Sequence, residues 1–311
     1  MDFLKLLDLG QTALELGLVN ALTVLALFLS YSMLDIADLS TDGCFTLGAV
    51  VGAIVALAGH PLLSLPAAML AGVCSGLATG LLQTRMGVQS LLAGIVVNTA
   101  LYSVNMGISG NKAQLNLNRT QTIFTMAKSA LADTPFAGQY RLLVELLIVA
   151  LVLAGLTSFL STRLGLSIRA TGSNPDMVRS SSINPAMTTI VGLCLSGSLT
   201  ALSGCLMAQQ GKSYDINLGN GMVTVALASL LIGRSFFSRR SIPVRAIGAV
   251  AGAFLFRLIY AIALRLKMPG FMLKAVSSII VVLAIAGPYL RAQAAITLRG
   301  LRRCQKGGCA C

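Results

Sequence analysis

Three polar groups interrupt an otherwise apolar chain, and each limits the chemistry open to it. The first is Asp35, Asp38 and Asp42, with Ser40 and Thr41 among them. Carboxylates this close bind cations, relay protons or cap helices. An Asp at the centre of a lipid-exposed helix costs about 2.5–3.5 kcal/mol on insertion scales. The three therefore lie at a membrane surface or line a wet cavity beside a broken helix. Asp42 also stands where it could cap a helix starting at Gly43. The second group is Ser90, Gly94, Asn98, Tyr102, Asn105 and Ser109, spaced by three or four residues and so on one helical face. An unpaired amide in hydrocarbon is costly, so Asn98 and Asn105 must face protein or water. That face either lines a translocation pathway, with Ser90, Asn98, Tyr102, Asn105 and also Asp35 as lining residues, or makes helix–helix hydrogen bonds of about 0.6 kcal/mol each.

The third group is the stretch Leu164–Pro185, too polar to span a membrane. Asn174 can accept hydrogen bonds from the start of a helix, and Pro175 suits its first position. Asp176 then faces the positive end of the helix dipole, with Arg179 a turn later. This spacing predicts a short helix from Pro175 to Ser182, and Asn184-Pro185 starts the next span in the same way. A short capped helix suits docking to a soluble partner; it also serves as a plain amphipathic connector.

Other chemistry is excluded. The single histidine, His60, sits beside Pro61 in a predicted turn, so no Ser/His/Asp or Cys/His arrangement exists. Cys44, Cys74, Cys194 and Cys205 lie in apolar runs and read as small hydrophobes. Cys304, Cys309 and Cys311 lack a nearby His and fall short of the four ligands of a zinc site, so no metal is expected. No G-x-x-x-x-G-K-[ST] phosphate loop is present; Gly211-Lys212-Ser213 has Leu206 where the first glycine belongs. The chain reads as a non-enzyme that binds no cofactor itself.

The elements that position these residues follow from composition. Of 311 residues, 56% are apolar and 11% charged, with mean hydropathy +0.83. Soluble domains carry about 25% charged residues, so a soluble enzyme is excluded, and disorder is excluded by the apolar content. The expected fold is all-α, a polytopic transmembrane bundle of about eight or nine segments with broken or re-entrant helices. A spanning helix needs about 20 apolar residues. Candidate spans are Leu16–Met33, two within Gly43–Thr84 divided at Gly59-His60-Pro61, Met86–Gly110, Arg141–Leu160, Ala186–Ala208, Ile216–Gly233, Ala246–Leu264 and Ala275–Leu290. Residues 1–290 form the transmembrane domain; residues 291–311 form a basic, Cys-containing tail. Glycines four residues apart, as at Gly48/Gly52 and Gly72/Gly76/Gly80, predict close helix contacts.

Net charge is +13. Alternating nine segments places 13 basic residues on the side of Arg85, the Arg163–Arg179 loop, the Arg234–Arg245 loop and the tail, against nine opposite. The richer side should be cytoplasmic, with the N-terminus outside. Arg257 lies inside a span and either snorkels or pairs with an acid, for which Glu145 is a candidate.

The segments Gly172-Ser173-Asn174 and Ser196-Gly197-Ser198-Leu199-Thr200-Ala201-Leu202-Ser203-Gly204 resemble the permeases of ABC importers for branched-chain amino acids, ribose-type sugars and nucleosides. Leu34–Ala49 and Ser90–Gly110 are most similar to the tryptophan/tyrosine subgroup. The resemblance runs from about Leu16 to Pro288. It implies a permease subunit in the inner (plasma) membrane that forms its pathway as a homodimer. It implies two ATPase subunits carrying ATP and magnesium, and an external substrate-binding protein. It places the ATPase-coupling role on Gly172, Asn174, Pro175, Asp176, Arg179, Asn184 and Pro185. The substrate it implies is an amino acid, aromatic first, with a sugar or nucleoside as the alternative. The alternative is a stand-alone ion-coupled transporter or channel, with Asp35–Asp42 binding the coupling ion.

Overall fold

The computed structural model describes residues 3–118, 120–130, 139–237 and 241–265, with single positions between 275 and 286. Eleven α-helices follow one another among these residues. They are α1 (Phe3–Leu27), continued by a π-helical stretch over Phe28–Met33, α2 (Thr41–Leu57), α3 (Ser64–Thr84), α4 (Ser90–Ile108), α5 (Ile123–Ala130), α6 (Tyr140–Ser161), α7 (Arg163–Ser173), α8 (Pro175–Ser180), α9 (Pro185–Gly211), α10 (Met222–Phe237) and α11 (Ile242–Arg265). Two short strands, β1 (Gln114–Asn116) and β2 (Ser213–Asp215), pair antiparallel with Leu115 opposite Tyr214.

Six helices are long and apolar enough to cross a membrane, over Gly10–Met33, Ser64–Thr84, Ser90–Ile108, Tyr140–Ser161, Pro185–Gly211 and Ile242–Ala263. Two apolar helices are shorter. The 17 residues of α2 and the 16 of α10 reach about 26 and 24 Å at 1.5 Å per residue, less than the ~30 Å of hydrocarbon. The expected eight or nine equivalent spans are therefore six full-length and two short helices among the described residues. Ala275–Leu290 lies almost wholly outside the described residues, and the tail 291–311 with Cys304, Cys309 and Cys311 lies entirely outside them.

The expected span Ile216–Gly233 is corrected in its first third. Turns closed by Leu218 N to Asp215 O and Asn220 N to Asn217 O carry the chain to Gly221, whose φ is +89°, and α10 begins only at Met222. The ribbon also departs from an all-helical chain. Leu117 N donates to Lys212 O and Ile216 N to Ala113 O, so the segment after α4 is tied to the end of α9.

The core is built around α1 and α9. Ser196 Oγ donates to Ala26 O at 3.0 Å, and two turns on Ser203 Oγ donates to Val19 O at 2.7 Å. Leu199, Leu202 and Leu206 fill the same cluster as Leu22, Leu25 and Leu29. The glycines of α9 face other partners. A Cβ on Gly197 would meet Gly72 O of α3, and one on Gly204 would meet Phe45 O of α2. Contacts of Gly48 with Ala201 and Gly52 with Cys205 set α2 parallel to α9; Gly72 with Gly197 and Gly76 with Leu193 set α3 antiparallel. The Ser-Gly-x-Leu-x-x-Leu-Ser-Gly pattern is thus a packing code, with serines toward α1 and glycines toward α2 and α3. At the ribbon end, Gln209 accepts from Ile123 N of α5 at 3.0 Å and donates to Ser64 Oγ of α3 at 2.6 Å.

Gly204→Val should prevent folding into a monodisperse detergent-solubilised species, because its Cβ falls on backbone that cannot yield. Ser203→Ala should lower stability by only about 0.6 kcal/mol. Size-exclusion profiles and reversible unfolding in mixed micelles measure the two effects.

Candidate functional site

Two local structures gather the polar residues, one at the α8 end of the molecule and one within the bundle. At the α8 end, the sequence signals act as anticipated. Asn174 is extended (φ −160°, ψ 98°), and its Oδ1 accepts from Asp176 N and Met177 N, each at 3.1 Å. Pro175 occupies the first turn with Asp176, and Arg179 stands in the last. Asn184 Oδ1 accepts from Ala186 N at 3.0 Å, with Pro185 opening α9. The helix is two residues shorter than expected at its end. It stops at Ser180, because Ser182 takes φ +61°, a left-handed conformation that helical backbone cannot continue through.

Position matters as much as capping. Within α8 only Val178 is buried, at 3% exposure, while Met177 stands 67% exposed. Exposed Met187 and Leu166 add to an apolar surface around a charged helix. The preceding stretch, read from the sequence only as a connection too polar to span, is the helix α7. Thr162 accepts from Gly165 N at its start, and Gly165, Ile168 and Thr171 recur every third residue as its buried face. That periodicity was present in the sequence and is the signal that finds the helix. Thr171 Oγ1 and Thr188 Oγ1 lie 2.8 Å apart and join α7 to α9. Gly172 has no room for a side chain, since a Cβ would strike Met33 O and Leu34. The α7–α8 unit is therefore fixed to α9 on one side and to the end of the π-helical stretch on the other.

Within the bundle, the chain from Leu34 to Ser40 is the break between α1 and α2. Asp35 is exposed with φ +57°. Asp38 is buried and accepts from Ser40 N at 2.9 Å and Ser40 Oγ at 2.7 Å, closing the turn that feeds α2. Asp42 does not cap its own helix, as expected from its place before Gly43. It lies in the first turn of α2, and its carboxylate accepts from Gly221 N at 3.0 Å and Val223 N at 2.8 Å. It thus caps α10, 179 residues away. A Cβ on Gly219 would strike Asp42 O, so the approach itself requires glycine. Two short helices meet by their N-termini inside the apolar bundle, the start of α10 satisfied by Asp42 and the turn before α2 closed by Asp38.

The polar face of α4 packs toward this junction. Gly94 abuts the backbone of Leu39, Asn98 Oδ1 lies against Gly43, and Asn105 Nδ2 donates to Gly43 O at 3.3 Å. Asn98 and Asn105 are thereby brought together at Gly43, and Asn105 supplies a helix–helix bond. Ser90 opens α4 half-buried, and Tyr102 is 52% exposed. Asp35 lies beside Leu34, on the side of the break that touches Gly172.

Arg257 and Glu145 do not bond. Both Glu145 carboxylate oxygens are buried without hydrogen-bond partners among the described residues, and the Arg257 guanidinium lies over the Tyr260 ring at 5.6 Å.

The family model described as branched-chain amino acid transport system / permease component matches residues 12–285. A tyrosine transport system permease protein of Clostridioides difficile is 31% identical over 271 residues, covering 87% of this chain and 88% of that protein. An uncharacterised Rickettsia prowazekii protein, RP368, is 30% identical over 259 residues, covering 83% and 88%. The ribose import permease protein RbsC of Escherichia coli is 28% identical over 203 residues, covering 63% and 60%. No solved structure matches the chain significantly.

The junction yields a stability prediction. Asp42→Ala strips both acceptors from the start of α10 and should destabilise the protein by about 0.5–2 kcal/mol. Asp42→Asn keeps one acceptor and should cost less. Unfolding curves of the three proteins in the same detergent order them wild type, Asn, Ala.

Proposed function

The chain belongs to the branched-chain amino acid transport system permease family, and from that premise we propose that it is the membrane subunit of an ABC importer for an amino acid, aromatic in kind. It is a multi-pass membrane protein and a transport component rather than an enzyme. In this reading the α8 end faces the cytoplasm of a cell bounded by its inner (plasma) membrane. Two separate ATPase subunits, which bind ATP and magnesium, dock on the α7–α8 units of a permease pair. The second permease is another copy of this chain. An external binding protein delivers substrate at the ribbon end, where β1, α5 and β2 form the cover.

The observation that carries this reading is the way α8 is built. A one-and-a-half-turn helix is too short to persist alone. Here it is capped by Asn174, anchored by Val178 and exposed on every other side. A force on the α7–α8 unit passes to α9 through the Thr171–Thr188 contact, and to the break after Met33 through Gly172. Closing the ATPases would move α8, and α9 would tilt with it as a rigid rod. The break at Leu34–Ser40 is where the bundle can change shape, and the α4 face with Asn98 and Tyr102 lines the route opened there.

The similarity to a tyrosine permease supports an aromatic amino acid as cargo. The similarity to the ribose permease keeps a sugar as the second reading. The stand-alone ion-coupled reading is disfavoured, since Asp38 and Asp42 already accept hydrogen bonds from Ser40 and from the start of α10.

Replacing Met177 by Asp puts charge on the docking surface without touching the anchor at Val178. In a complex reconstituted with its ATPase, substrate-stimulated ATP hydrolysis should fall at least tenfold while the permease stays folded. Unchanged hydrolysis would remove α8 from the coupling role. Asn98→Leu should slow uptake several-fold and leave ATPase association intact, as read by co-purification.

A further inference from the structure

A cavity of about 440 Å³ opens beside the start of α10, between α9, α10 and α11. Its walls combine Met222, Phe256 and Tyr260 with the polar Asn220 and Thr224, and among the described residues that line it Arg257 is the only charged one. This volume falls in the range of small-molecule sites, which bury an apolar body and fix it with few polar groups.

Arg257 is the unusual wall residue. It is the sixteenth residue of α11, about 22 Å along the helix from Ile242 and 12 Å from Arg265. The base of its side chain packs against Gly17 of α1, and its Nε is buried with no hydrogen-bond partner among the described residues. An ionised guanidinium at this depth is costly unless an anion meets it. Among the described residues no carboxylate meets it. Glu145 does not reach it, and Asp42 is held by the first amides of α10. The cation thus lines the cavity, over the Tyr260 ring, and its planar fork suits a planar anion.

We propose that this cavity is a substrate subsite in which Arg257 binds the carboxylate of the transported amino acid, while Phe256, Tyr260 and Met222 receive its side chain. The assignment rests on the amino-acid reading above and deepens it. A carboxylate meets guanidinium through two parallel N–H···O bonds, which fixes orientation as well as charge. Asn220 and Thr224 offer oxygens to the ammonium group. A neutral sugar supplies no partner for the cation.

The test uses the full chain in lipid nanodiscs and three probes: L-tyrosine, tyramine (which lacks only the carboxylate) and D-ribose. Binding is read by saturation-transfer NMR with competition. The expected result is that wild type binds L-tyrosine at least tenfold more tightly than tyramine. Arg257→Gln should erase that preference, and Arg257→Lys should retain part of it. Equal affinity for tyrosine and tyramine in the wild type overturns the proposal without any variant, so poor folding of a variant cannot shield it. A preference that survives in Arg257→Gln overturns the subsite and leaves the amino-acid reading standing. Binding of ribose in place of tyrosine overturns both, and no tyrosine binding up to its solubility limit overturns the subsite.

Discussion

A lipid interior offers no water to backbone groups, so every break in a helix must be satisfied by the protein itself. The rest of this structure depends on how that demand is met where α2 and α10 begin. Both helices start inside the apolar bundle and expose the positive ends of their dipoles to one another. Asp42 answers with two hydrogen bonds from α10, and Asp38 with two from Ser40. Acidic residues that would be costly in lipid become the means of ending a helix there.

The small residues solve the complementary problem. Helices in lipid gain little from apolar burial against each other and associate through close contact and interhelical hydrogen bonds. Gly197, Gly204, Gly72 and Gly48 bring backbones into contact, and Ser196 and Ser203 bond the carbonyls of α1. The result is a stiff central rod, α9, gripped along its length and capped at its α8 end by Asn184. Such a rod transmits displacement, whereas the irregular segment from Leu34 to Ser40 can absorb it. Function in this family reading requires both properties in the same subunit, and Gly172 is where they touch.

Arg257 and Glu145 show a different use of buried charge. Opposite signs on neighbouring spans suggest a pair, yet each keeps its own surroundings. A cation beside a cavity, with no carboxylate meeting it among the described residues, is difficult to explain as packing, because an apolar side chain of similar volume would serve packing better. It is easier to explain as half of an interaction whose other half arrives and leaves.

Much was legible from the chain alone where the signal is local. Apolar runs of the right length gave five of the six long helices to within about four residues, because hydrocarbon thickness sets a length that composition must meet; the first was placed too late, at Leu16, where α1 already begins at Phe3. Asn174-Pro175 and Asn184-Pro185 announced the starts of α8 and α9, since a cap bonds amides only two or three residues on. The buried face of α7 was equally local and was passed over because its polar residues outnumber its apolar ones. What only the tertiary structure decided were partnerships across long separations. Asp42 reads as a cap for its own helix until the fold brings Gly221 and Val223 to it, and Ile216–Gly233 reads as one span until Gly219 is seen to sit on Asp42 O. The polar face of α4 was evident as a stripe, but which neighbour Asn105 meets was not. Local spacing specifies which groups need partners; three-dimensional proximity, which spacing does not contain, specifies which partners they find.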